Sequence, residues 1–149
     1  MKSSKSILLI TLMCLVVNAY SQSNSVFIII DEIAENVEQL TAEFSGQSNV
    51  LVTDGSSPDV LTQIAGSVEH LEIDELHIYT ATRPGALVFS SIAVTPDNED
   101  EWSEALKFWS RMATTKVVIH SEVVFTGEEG LLLKQRLEEL IGLDFSTRN

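Results

Sequence analysis

The chain has 149 residues, with 22 acidic side chains against 9 basic ones, a formal charge of −13 and a single cysteine. That acidic excess argues against a nucleic-acid binder or a protein held on anionic membrane surfaces, because phosphates would be repelled. The length suits one ordinary domain with a core of its own.

Residues 1–21 read as a secretory signal peptide. Lys2 and Lys5 give a basic start, and Ile7 to Val17 is an apolar run too short for a comfortable membrane span. Asn18-Ala19-Tyr20-Ser21 supplies small or polar residues at a cleavage site before Gln22. Met13 stands before Cys14 where a lipoprotein needs a small residue, which argues against lipidation. Cleavage removes both lysines and the cysteine, so residues 22–149 are still more acidic. They also have no disulfide, no thiolate nucleophile and no cysteine-based metal site. The expected location is secreted or periplasmic, with no membrane span in the mature chain and no nucleic-acid partner.

Val26 to Ile30 is a continuous apolar run, mostly β-branched, ending at Asp31, as a strand buried on both faces reads. Val37, Leu40, Thr41 and Phe44 follow at helical spacing, and Gly46 stops that helix. Val50 to Thr53 is a second strand, closed by Asp54-Gly55. Ser57 is read as the N-cap and Pro58 as the first residue of the next helix, whose apolar face is Val60, Leu61, Ile64, Ala65 and Val68. Leu76 to Tyr79 is the third strand. Leu87 to Phe89 and Ile92 to Val94, joined by Ser90-Ser91, form a hairpin whose turn residues are not the favoured kind. Pro96 to Glu101 is an acidic loop and helix start, and Trp102, Ala105, Leu106, Trp109 and Met112 make an amphipathic helix. Val117 to His120 is another buried strand. A last helix runs from Gly130 through Leu131, Leu133, Leu137, Leu140 and Ile141 to Gly142. Strands alternating with helices of this length predict an α/β fold, a three-layer sandwich on a mainly parallel sheet with a small β-hairpin insertion.

His77 to Leu87 reads H-I-Y-T-A-T-R-P-G-A-L, and Val117 to Gly130 reads V-V-I-H-S-E-V-V-F-T-G-E-E-G. These stretches resemble the caspase-fold domain of unknown function found near the start of very large bacterial surface adhesins, a family similar in fold to gingipain and caspase peptidases. Its motifs read H-I-x-S-H-G-x-P-G-x-L and, roughly, I-L-L-Y-G-C-x-V-A-x-G-x-x-G. Pro84-Gly85-Ala86-Leu87 and Gly127-Glu128-Glu129-Gly130 are the specific anchors. The opening strand ending at Asp31 and the last helix leading into Ile141-Gly142-Leu143-Asp144-Phe145 extend the resemblance over nearly all of residues 22–149. It implies a caspase-like fold. It also places the family's base histidine on Ala81 and its nucleophilic cysteine on Glu122. A cysteine–histidine dyad works because imidazole draws off the thiol proton; alanine takes no proton and glutamate is a poor acyl acceptor. The expectation is a non-catalytic domain, without cofactor, that binds a protein partner in the bacterial envelope.

The strand ends suggest an alternative. Asp31, Asp54, Thr80 and Glu122 should lie along one sheet edge with Glu32 close by, and Asp31, Asp54 and Glu122 could hold a hard cation or serve a hydrolase. Against it, Asp31 suits a helix cap or backbone N–H groups, and Asp54 suits a turn with Gly55. His120 and Glu122 alternate on one strand face as a zinc pair would, but lack an evident third ligand. Asp97 to Glu101 resembles a calcium loop in composition only, and an acidic helix N-terminus accounts for it. Trp102 and Trp109 share a helix face and are expected in the core. A phosphoreceiver layout on Asp31, Asp54, Thr80 and Lys116 fails: the two aspartates are one strand too close, Lys116 precedes its strand, and export removes the phosphodonor.

Overall fold

The computed structural model describes residues 25–56, 58–111, 114 and 116–149; the signal-peptide reading, Ser57 and Met112 lie outside them. Five strands, β1 (Val26–Asp31), β2 (Val50–Thr53), β3 (Glu75–Tyr79), β7 (Lys116–His120) and β8 (Asp144–Arg148), form one sheet in the order β2-β1-β3-β7-β8. Every neighbouring pair in it is parallel. Three short strands, β4 (Ala81–Arg83), β5 (Ala86–Val88) and β6 (Ala93–Val94), make a separate antiparallel sheet.

The helices divide over the two faces of the large sheet. α2 (Val60–Val68), α3 (Glu99–Lys107) and α4 (Gly127–Ile141) cover the face carrying Phe27, Ile29, Leu76, Ile78, Val117, Ile119 and Phe145. Trp102 and Trp109 belong to this core, the larger of the two, as their spacing predicts. On the other face α1 (Val37–Glu43) brings Val37 and Leu40, with Phe44 just beyond it, against Ile28 and Ile30. The chain is therefore a three-layer α/β sandwich. Burying a side chain such as Leu61 or Ile64 completely contributes about 2 kcal/mol.

Local chemistry explains where the elements begin and end. The α2 N-cap is Asp59, whose carboxylate accepts from Thr62 N–H at 3.2 Å; Pro58 stands outside the helix instead of opening it. The acidic run before Trp102 starts α3, with Glu99, Asp100 and Glu101 in the first turn, where negative charge is favourable. Ahead of them Asn98 Oδ1 accepts from Thr95 N–H at 3.0 Å and from Trp102 Nε1–H at 3.0 Å. α3 is shorter than its apolar spacing suggests, and Phe108–Arg111 winds as a 3-10 turn. The hairpin of Leu87 and Val94 is present, in register Leu87↔Val94. Its Ser90-Ser91 turn is held from outside: Ser90 bonds Asp31, and Ser91 Oγ accepts the first α2 N–H, from Val60, at 3.0 Å.

Candidate functional site

The carboxyl ends of β3 and β7 open into a cleft of about 590 Å³. Ala81 and Glu122 both line it, together with Tyr79, Thr82, His120, Ser121 and Arg148. The two positions singled out by the resemblance therefore share one cavity, as strand ends in a parallel sheet should. Ala81 does not simply terminate β3; it begins β4 and pairs with Val88. Exposed Ile33 and Val123 also line the cleft.

Two hydroxyls lie beside these positions. Ser121 Oγ accepts from Val123 N–H and Val124 N–H, each at 3.1 Å. It lies 2.8 Å from Thr82 Oγ1. With both lone pairs taken by backbone donors, the Ser121 proton goes to Thr82. This serine fixes the 121–124 loop and leaves exposed Glu122 on the cleft.

The three candidate carboxylates are held differently. Asp31 is fully buried, and its oxygens accept from Thr53 Oγ1 at 2.8 Å, Ser90 N–H at 2.9 Å, Ser90 Oγ at 2.9 Å and Ile33 N–H at 3.3 Å. It ties the antiparallel sheet to the β1–β2 edge. Asp54 is exposed and turned to the backbone N–H and hydroxyl of Ser56; the hydroxyl contact, followed by the N–H, holds its carboxyl below the usual range. Glu32 Oε1 accepts from Gly55 N–H at 2.9 Å. Neither Asp31 nor Asp54 lines the cleft with Glu122. Among the described residues no group of three His, Cys, Asp or Glu side chains is arranged to hold a metal ion. The cation reading thus loses Asp31 to a structural role, for the reason that buried carboxylates take N–H and O–H partners.

His120 does not pair with Glu122, because β7 ends at His120 and the chain turns at Ser121. Its Nε2 lies 2.9 Å from His77 Nδ1, and its ring stacks on Tyr79 with centroids 3.9 Å apart. His77 Nε2 lies 2.7 Å from Glu75 Oε2. The hydrogen bond from His77 holds the Glu75 carboxyl below its ordinary value, and Lys116 and Arg148 act the same way. Burial, followed by Glu43, pushes the Tyr79 phenol up. Sequence reasoning missed Glu75, His77 and Tyr79 as a set. The available signal was three hydrogen-bonding side chains at alternate positions, and so on one face, of an otherwise apolar strand.

Burial, with His77 and Arg148 adding, depresses His120 from 6.5 to about 4. The folded pKa lies below the unfolded one, so this contribution is fully present above pH 6.5 and is lost as pH falls towards 4. The depression corresponds to at most about 3 kcal/mol, and half-exposure with solvent screening reduces it to roughly 1–2 kcal/mol. Urea melts at neutral pH and near pH 4 should show that loss, and His120→Gln should reduce the pH dependence by the same amount.

No helix among the described residues is long and apolar enough to cross a membrane. No curated protein matches the chain. Among solved structures, an open conformation of 2-hydroxyisobutyryl-CoA ligase in complex with 2-HIB-AMP and CoA is similar at 8% identity and a TM-score of 0.43. That match covers 82% of this chain and 24% of the ligase, a likeness too slight to argue from. The family comparison is the informative one: over residues 27–149, both motif stretches and the cleft between them included, the chain belongs to the family described as Domain of unknown function (DUF4347).

Proposed function

We propose that this chain is a secreted, non-catalytic domain of caspase-like descent that serves as a protein-interaction module at the bacterial cell envelope. The observation that supports the reading is one cleft lined by both Ala81 and Glu122, the positions on which the sequence resemblance puts a base and a nucleophile. The neighbouring hydroxyls of Ser121 and Thr82 are bonded to each other, and His120 is bonded to His77. What the cleft retains is shape, two apolar residues in Ile33 and Val123, and exposed Glu122. These are features of recognition without reaction.

The test is selection of displayed peptides on the immobilised protein. Selected binders should lose about tenfold in affinity, roughly 1.4 kcal/mol, when Ala81→Trp fills the cleft, and should be indifferent to Leu131→Ser on the solvent face of α4. Binders that tolerate Ala81→Trp but lose affinity in Leu131→Ser would move the interaction surface away from the cleft.

A further inference from the structure

We propose that Glu75, His77 and His120 form an acid-operated latch on the Tyr79 wall of the cleft, kept closed by one shared proton and opened by a second. The latch rests on the geometry of the network and is independent of what the cleft binds. His77 is buried, with one ring nitrogen 2.7 Å from Glu75 and the other 2.9 Å from His120. The two imidazole centroids are 5.1 Å apart while the facing nitrogens are 2.9 Å apart. The rings therefore meet nitrogen to nitrogen, as in a hydrogen bond, instead of converging on a third atom as metal ligands do.

Ionised Glu75 takes the Nε2–H of His77, which makes His77 Nδ1 an acceptor and His120 Nε2–H its donor. A first added proton ends on His120 Nδ1 whichever ring carries the charge, and the N–H···N link survives. A second added proton sets N–H against N–H across that contact, and the rings must part. His120 lies flat on Tyr79, at an interplanar angle of 12°, so parting them disturbs the cleft wall.

The surrounding charges make the second proton hard to accommodate. Glu75 already faces Lys116 Nζ from β7 and Arg148 Nη2 from β8, each at 3.9 Å. Arg148 also pairs in register with His120, and Asp144 with Lys116. From the α1 side, Glu43 acts on Tyr79. The depression of His120 to about 4 agrees with this arrangement.

The test follows the histidine and Tyr79 ring signals of the purified protein by NMR, from neutral pH down through about 4. The His120 ring signals should shift in two steps. The nuclear Overhauser contact between Tyr79 and His120 should be lost in the second step, while the Trp102 indole signal of the core persists. In His77→Gln, His120 should titrate in a single step at higher pH with its Tyr79 contact intact. A single-step titration of His120 with the Tyr79 contact kept throughout would overturn the latch. So would loss of the Trp102 signal in the same step, which would mean that the whole fold gives way. The wild-type measurement decides by itself should His77→Gln fail to fold.

Discussion

Replacing Gly130 with alanine should destabilise the protein by about 3 kcal/mol and lower its melting temperature by roughly 10 °C. A Cβ there would lie 2.5 Å from the Phe125 carbonyl carbon and 2.8 Å from both Phe125 Cα and Val124 O. All three are backbone atoms, so no side chain can swing aside. Moving α4 away would loosen Leu133, Leu137 and Ile141, which are buried in the core. Gly85 meets the same segment from the other side. It adopts φ +73 in the turn after Pro84, its N–H bonds Val124 O at 2.9 Å, and a Cβ on it would come within 2.7 Å of Glu129 Cβ. Pro84-Gly85 and the Gly127 to Gly130 stretch, the two anchors of the resemblance, thus meet at Gly85 and Glu129. Gly85→Ala should cost a similar amount, since it adds a clash with Glu129 to a left-handed backbone conformation. Thermal melts followed by circular dichroism measure this. A drop of less than about 2 °C for Gly130→Ala would show that the close approach is easily relaxed.

Asp31→Ala should be worse, by about 4 kcal/mol, because it strands several buried donors at once. The Ser90 N–H, the Ser90 hydroxyl and the Thr53 hydroxyl all lose their acceptor, and the antiparallel sheet loses a tie to β1. Asp31→Asn keeps one acceptor oxygen, and the hydroxyls can turn to accept from its amide, so about 1–2 kcal/mol is expected there. Asp54→Ala, at an exposed turn, should cost less than either. Urea unfolding with and without calcium separates this structural role from a cation site. Calcium should change neither the wild type nor Asp31→Ala. A calcium-dependent rise in wild-type stability that vanishes in Asp31→Ala would restore the cation reading.

The elements legible in the sequence were those whose pattern is set by burial. β1 reads directly because Phe27, Ile28, Ile29 and Ile30 are buried on alternating faces of an interior strand. α2 shows one apolar stripe, and Trp102 and Trp109 fall where their spacing puts them. β8 was not legible as a strand: Asp144–Arg148 is short and largely polar, and Phe145 is its one buried side chain. β4 is not legible as a strand either, because Ala81-Thr82-Arg83 has no apolar alternation and owes its conformation to pairing with β5. The α2 cap is ambiguous in the sequence because Ser57-Pro58 and Asp59 both suit a helix start, and Asp59 makes the bond to Thr62.

The site divides the same way. That Ala81 and Glu122 share a cleft followed from strand ends in a parallel sheet. That Asp31 is consumed inside the fold depended on Ser90, distant in sequence and brought in by the second sheet. The His77–His120 contact depended on β3 and β7 being neighbours in register, which no local pattern encodes.

The proposed function requires that the cleft recognise without reacting. Incubation of the purified protein with a broad peptide library, read by mass spectrometry, tests it most directly. Every peptide should be recovered intact; cleavage by the wild type that disappears in Glu122→Ala would overturn the proposed function.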